Sequence, residues 1–250
     1  DQVEDETAVI NTNLTSQLSE NIFLNAGGSF KKLKSHYSQH LLDLLGGLYF
    51  DDVDPFYKGR QSQSDLNNPN RQVVVGDTYG YNYNYLANIM EAFTQFKFTY
   101  NKVDFYLAQQ FSTRDYQREG LYKNGIYENK KKKKSEKVTF ENFGFKGGFN
   151  FKISGKQLVT FNAAHLTKAP SLRSTFPNSR LNNSIVNGLE SENINSTDIS
   201  YIYRSPKLKG RLTAYYSLLK NTTQISFFYA EGIFDDGAGY LNTDAFVSQT

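Results

Sequence analysis

Tyr79, Tyr81, Tyr83 and Tyr85 alternate with Gly80, Asn82 and Asn84 in the segment GDTYGYNYNY, so on an extended chain all four project from one face. Tyrosine offers rigid contact area with a polar tip, which suits stacking on a sugar or a chelate; packing of a loop, or a girdle at a membrane interface, is the plainer use. Asp51, Asp52 and Asp54 cluster oxygens of the kind a hard cation favours. Their spacing is not the EF-hand series, and a solvated acidic loop accounts for them. His36 and His40 stand four apart, as metal ligands on a helix do, but no HEXXH glutamate accompanies them. Lys130 to Lys134 is a run of like charges that repels itself. Without interleaved aromatics it does not read as a nucleic-acid platform, whereas lipid or lipopolysaccharide phosphates would suit a surface loop. No G-x-S-x-G elbow, phosphate-cradling glycine loop or thiolate is present, so no catalytic residue, metal site or cofactor is expected.

The elements that would carry these groups are strands. The clearest is in residues 138–229, which read as four consecutive extended segments. In the first, Phe143, Phe145, Gly147, Phe149, Phe151 and Ile153 share one face while Asn142, Gly144, Lys146, Gly148, Asn150 and Lys152 share the other. Earlier, 8–18 reads as a strand, and Ile22 onward alternates through Phe30 and runs to about His36. Alternation resumes by Ala92 and, after Asn101-Lys102, places Val103, Phe105, Leu107 and Phe111 opposite Asp104, Tyr106, Ala108 and Gln110. QHLLDLLGG, within the long stretch between, has the look of a short helix.

Short turns fall near 19–21, 101–102, 154–156 and 205–207. Long connections fall near 38–82, 119–137, 168–193 and 230–243. Sorting of connection length by parity is the habit of transmembrane β-barrels, with short turns on one rim and long loops on the other. A soluble sandwich has no reason to sort them so. Tyr100, Phe105, Tyr201, Tyr203, Phe227, Phe228 and Tyr229 lie near strand ends, where interfacial girdles sit. The expectation is an all-β, antiparallel up-and-down transmembrane β-barrel, present as a partial barrel of about eight to nine strands, with Phe143, Phe145, Phe149 and Phe151 facing lipid.

Composition agrees. Of 250 residues, 15% are aromatic, with 20 Phe and 18 Tyr, too many for a disordered chain. The net charge of +3 is too small to imply a nucleic-acid partner, and there is no cysteine. No apolar run reaches the length of a membrane helix, a test that barrel strands escape. The chain opens on Asp1 without a leader-like segment and reads as an internal or processed piece.

The stretch LVTFNAAHLTKAPSLRSTFPNSR, then NGLESENINSTDISYIYRSPKLKGRLTAYYS, resembles the barrel region of TonB-dependent outer-membrane receptors. Lys168-Ala169-Pro170-Ser171-Leu172 matches that family's basic-Ala-Pro-Ser/Thr-Leu element, with Lys where Arg is commoner. Leu189-Glu190-Ser191-Glu192 and Asp198-Ile199-Ser200-Tyr201 match the following acidic and aromatic pattern loosely. QLSENIFLNAGGSFKKLKSHY, SQSDLNNPNR, YNKVDFYLA, YQREG and SFFYAEG extend the likeness along the chain, most like the versions in Bacteroidetes-type bacteria.

The resemblance implies a slice of a larger barrel that closes around a plug carrying a TonB box. It also implies energy-coupled uptake of a scarce nutrient (an iron chelate, a vitamin or a glycan) across the bacterial outer membrane. Partners would be outer-membrane lipid and lipopolysaccharide, the TonB complex acting through the plug, and the small-molecule or glycan ligand. The loop residues Tyr79, Tyr81, Asp51, Asp52 and Asp54 are the candidates to touch that ligand. A passive porin, or a structural or adhesin barrel, would share the strands and girdles; an enzyme is the least expected class.

Overall fold

Side-chain alternation on an extended chain can be satisfied only when the backbone N–H and C=O groups find partners in neighbouring strands. The computed structural model shows how they do, and describes residues 1–127, 133–226 and 246–249. Its strands, in chain order, are β1 (Gln2–Ser19), β2 (Ile22–His40), β3 (Phe50–Asp51), β4 (Gln72–Val73), β5 (Thr78–Thr99), β6 (Val103–Gly120), β7 (Val138–Ser154), β8 (Gln157–Lys168), β9 (Glu192–Arg204), β10 (Lys209–Lys220), β11 (Thr223–Ser226) and β12 (Phe246–Gln249). One helical turn, α1 (Leu172–Thr175), lies between β8 and β9.

Eight of these form one antiparallel sheet in the order β1-β2-β5-β6-β7-β8-β9-β10, each pairing with its chain neighbour across the connections. This is the up-and-down arrangement expected: an all-β barrel wall, present in part. β3 pairs with β4 inside the first long loop, and β11 with β12 in a ribbon of their own. The four tight turns lie where the sequence placed them, between Ser19 and Ile22, Thr99 and Val103, Ser154 and Gln157, and Arg204 and Lys209. The expected connection at 230–243, and Phe227, Phe228 and Tyr229, lie outside the described residues.

Three expectations need correction. QHLLDLLGG is not helical. β2 continues through His40, and Leu45 and Gly46 then adopt positive φ, which ends any regular run. Leu42, Leu45 and Leu48 consequently stand exposed, without a core for a helical stripe to bury. The second error is the start of β5, which begins at Thr78 and not near Ala92. The asparagines among the tyrosines have the look of turn formers, but β2 supplies a backbone partner to nearly every residue, from Thr78 opposite His40 to Phe98 opposite Ile22. Thirdly, β1 begins at Gln2, ahead of the expected Ala8, because its polar first turns pair fully with β2.

Register assigns the faces. The row Ile22, Phe98, Phe105, Phe149, Phe161, Ile199 and Ala214 runs across seven strands on one side, with Leu24, Phe96, Leu107, Gly147 and Ala163 in the row above. Phe143, Phe145, Phe149 and Phe151 share this side and stay 41–56% exposed, with no second layer over them among the described residues. The opposite, inner face is mostly polar over the same band, with Phe23 and Phe93 among its apolar exceptions. It carries the ion pairs Arg114–Glu91 at 3.1 Å and Lys152–Asp104 at 2.9 Å, and Asn162 donates to Asp198.

On the outer side the apolar positions give way to charge towards the long-loop end. Phe30 is followed by Lys32, Phe143 is preceded by Glu141, and Asp115 lies two positions beyond Thr113. Beyond that change the inner face turns apolar. Tyr81, Tyr83, Tyr85, Ala87, Tyr116 and Phe140 form the core there, sealed by Ala169 and Phe176 from the β8–β9 loop. The molecule therefore keeps its core inside the wall at one end and leaves its other apolar surface outside.

Candidate functional site

Chemistry-bearing residues gather at the long-loop end, where β5 and β6 extend past the apolar band. Even-numbered positions of β6 face inward, so Arg114, Tyr116 and Arg118 follow one another up the inner wall. Arg118 is 4% exposed. Its guanidinium lies over the Tyr83 ring, 5.1 Å from the centroid. Nε donates to the Ser179 carbonyl at 2.7 Å, Nη1 donates to Asn183 Oδ1, and the Arg118 backbone N–H donates to Ser135 Oγ at 2.9 Å. One side chain thus fastens the β8–β9 loop to the wall, while its backbone fastens the β6–β7 loop. Burial pushes its pKa down to about 10, which leaves it charged at neutral pH among neutral acceptors.

The tyrosines form the surface on which that loop rests. Tyr37 and Tyr83 stack with centroids 5.2 Å apart, and Tyr85 meets both edge-on. Phe176 packs on Tyr85 at 6.0 Å, and the Tyr85 hydroxyl bonds Ser179 Oγ. Burial first, then the neighbouring tyrosines, raises the Tyr83 pKa, so the cluster stays neutral. These rings serve loop packing; they are not an interfacial girdle, since they face inward.

Of the expected ligand contacts, Tyr81 is buried, donating to Asp1 Oδ1 at 2.7 Å beneath the Arg180 guanidinium. Tyr79 accepts from Gln39 and stands edge-on to Phe50. The acidic trio is dispersed in role. Asp52 is buried, 2.7 Å from Arg71, and accepts from the Gly80 N–H; Asp54 accepts from the Phe56 N–H; Asp51 accepts from Gln72. Among the described residues no three His, Asp or Glu side chains converge as a metal site. His36 bonds Asn82 at 2.6 Å, His40 bonds Ser38, and His165 bonds Asn195 on the outer face.

Lys168-Ala169-Pro170-Ser171-Leu172 has a structural task. Lys168 ends β8 within 3.9 Å of Glu192, Ala169 and Pro170 are buried, and Ser171 Oγ caps α1 by accepting from the Ser174 N–H at 3.0 Å. Leu172 then packs against the tyrosine core. The motif bends the chain from the rim inward over the wall.

SQSDLNNPNR, residues 62–71, likewise ties loop to loop. Asp65 accepts from the Lys123 N–H at 2.9 Å, Leu66 N–H donates to the Lys123 carbonyl at 2.7 Å, and Arg71 lies over the Tyr122 ring. The three long connections consequently meet around one cavity of about 350 Å³. Asn67 reaches it from the first, Tyr122, Lys123 and Lys133 from the second, and Asn182 and Asn183 from the third, with Arg118 at its inner side. Of the Lys130–Lys134 run, Lys133 lines the cavity with its Nζ 3.7 Å from Glu119, and Lys134 pairs with Glu119 through the backbone; the other three lie outside the described residues.

Arg118 was not among the expected contacts. It lies in YQREG, and continuing the alternation of Asp104, Tyr106, Ala108 and Gln110 for four more pairs would have placed it on the inner face.

No family model matches this chain, and no curated relative matches it. Eleven solved chains do. One is a copper transporter, OprC, which this chain resembles with a TM-score of 0.59 at 10% sequence identity over 90% of its own length. The match covers 32% of the transporter's chain, so this chain spans about a third of it. At that identity the likeness concerns the fold.

Proposed function

We propose that the chain is part of the wall of a bacterial outer-membrane transport barrel. In this reading it is the TonB-coupled, receptor-type transporter that its motifs resemble, and it takes up a scarce small molecule or glycan captured by the long loops. It performs no chemistry on that cargo. The observation that carries the membrane reading is the outer face of β7. From Phe143 to Ile153 it presents only apolar side chains and one glycine, bounded above by Glu141. Ten residue steps at ~3.3 Å, on a strand tilted ~40°, rise about 25 Å, the height of a barrel's apolar band. Such a face, uncovered while the inner face is ion-paired, suits hydrocarbon on one side and water on the other. The fold shared with a copper transporter supports transport as the use of the wall.

TonB coupling rests on the motif likeness, and it separates this reading from a passive pore. The full-length protein, purified and inserted into a planar bilayer, is expected to be nearly silent. Steady conductance without TonB would replace the energised reading with a porin. Loss of the heat-dependent gel shift typical of closed barrels would remove the membrane reading as well.

A further inference from the structure

Among the described residues, the cavity where the three long loops meet is lined by Arg118, Lys123 and Lys133 and by no carboxylate. Glu119 stands beside it, 3.7 Å from Lys133 but turned also to Asn84, whose Nδ2 donates to it at 3.1 Å. Arg118 has the least freedom: buried, fixed at two N–H groups by Ser179 and Asn183, and charged. A guanidinium offers five donors, so the same fork retains N–H groups for an incoming anion. A buried cation whose hydrogen-bond partners, among the described residues, are neutral acceptors is a costly arrangement that an anion would relieve.

The rest of the lining narrows the ligand further. Asn67 and Asn182 bring amides with two donors and two lone pairs each, of which Asn67 Nδ2 already donates to Asp65 and Asn182 Oδ1 already accepts from the Ser184 N–H, so each keeps groups to meet a hydroxyl; Tyr122 supplies an aromatic face. The volume suits a molecule at the small end of the range for ligand sites, which begins near ~300 Å³. We propose that this cavity binds a carboxylate carried on a hydroxylated, sugar-sized frame, with Arg118 and Lys123 holding the carboxylate and the asparagine amides the hydroxyls. This rests on the transport reading above and names the cargo's chemistry, or that of its outermost group.

The test is calorimetric titration of the full-length protein, folded in detergent, with sodium glucuronate, glucose and glucose 6-phosphate at low salt. Glucuronate is expected to bind, and glucose at the same concentration is not. Lys123→Gln should weaken glucuronate about tenfold, the usual scale for losing one charge-assisted hydrogen bond, and leave the heat-dependent gel shift unchanged. Equal binding of glucose, or glucuronate binding indifferent to Lys123→Gln, would overturn the assignment. So would capture of the phosphate ester but not glucuronate. Because micelles support no transport, failure to bind in a protein that keeps its gel shift would refute this ligand class while leaving the barrel transporter intact.

Discussion

Replacing Arg118 with methionine would remove the charge and keep much of the aliphatic bulk, taking the Nε donor from the buried Ser179 carbonyl and ending the Nη1 contact to Asn183. An orphaned buried acceptor costs ~1–3 kcal/mol, enough to loosen the β8–β9 loop without unfolding a sheet held by full backbone ladders. Limited proteolysis should therefore cut between Phe176 and Arg180 sooner in Arg118→Met than in the parent, while the barrel fragment itself persists; equal cleavage rates would show that the tyrosine core alone holds the loop. Gly148 is a second position where one atom decides. A Cβ there would sit 2.5 Å from Asn162 Oδ1, 2.6 Å from the Phe161 carbonyl and 2.8 Å from Tyr106 Cε1. The Tyr106 hydroxyl crosses over the glycine to donate to Asn162 at 3.2 Å. Gly148→Ala should lower stability by ~1–3 kcal/mol through overpacking, read as a lower temperature for the gel shift. Neither role was legible beforehand. Arg118 and Gly148 could be put on the inner face by counting alternate residues, but that Ser179 comes down on Arg118 from 61 residues away, and that Tyr106 crosses over Gly148 to Asn162, depends on contacts that the local pattern does not carry.

At the level of elements, alternation was the part written plainly in the sequence. From Phe143 onward β7 keeps phenylalanines on one side and Lys146, Asn150 and Lys152 on the other, and the structure turns those sides outward and inward as a two-residue period requires. Strand limits were less legible, because Gln2–Glu6 in β1 are mostly polar and the tyrosines of Tyr79–Tyr85 in β5 alternate with a glycine and asparagines that look like turn formers. Pairing with β2 decides both. The failed helix at QHLLDLLGG has the same origin in reverse, a local pattern with no surface to bury its leucines. The outer side of β7 makes a direct test of what it faces. Phe149→Arg should cost ~2–4 kcal/mol of folding into lipid vesicles, as a cation does near the bilayer midplane. Thr139→Arg, beyond Glu141 on the same strand and the same side, should cost close to nothing. If both substitutions are tolerated alike in vesicle-folding titrations, the phenylalanines do not meet hydrocarbon.

For the molecule as a whole, the boundary between apolar and polar outer positions does not follow one register row. On β2 the last apolar outer residue is Phe30; on β9 it is Ile199. The row of Ile199 passes through Phe161, Phe149, Phe105 and Phe98 to meet β2 at Ile22, eight residues short of Phe30. That offset is about 26 Å along the strand, gained over five strand spacings that total about 24 Å, so a level boundary requires strands tilted ~45°. Barrel closure demands a tilt of this size. β10 departs from the trend, since Leu218 shares a row with Asn195. The row Ala26, Thr94, Gln109, Phe145, His165 and Asn195 then predicts unequal depths for residues that a flat drawing of the sheet places level. Ala26 falls in mid-band, and Asn195 lies four residues above the boundary at Ile199. The chain contains no cysteine, so single thiols can be introduced cleanly. In intact cells a membrane-impermeant maleimide should label Asn195→Cys and spare Ala26→Cys, and both should react once detergent strips the lipid. Equal labelling in cells would mean an untilted sheet, and with it the loss of the geometric case for a membrane wall.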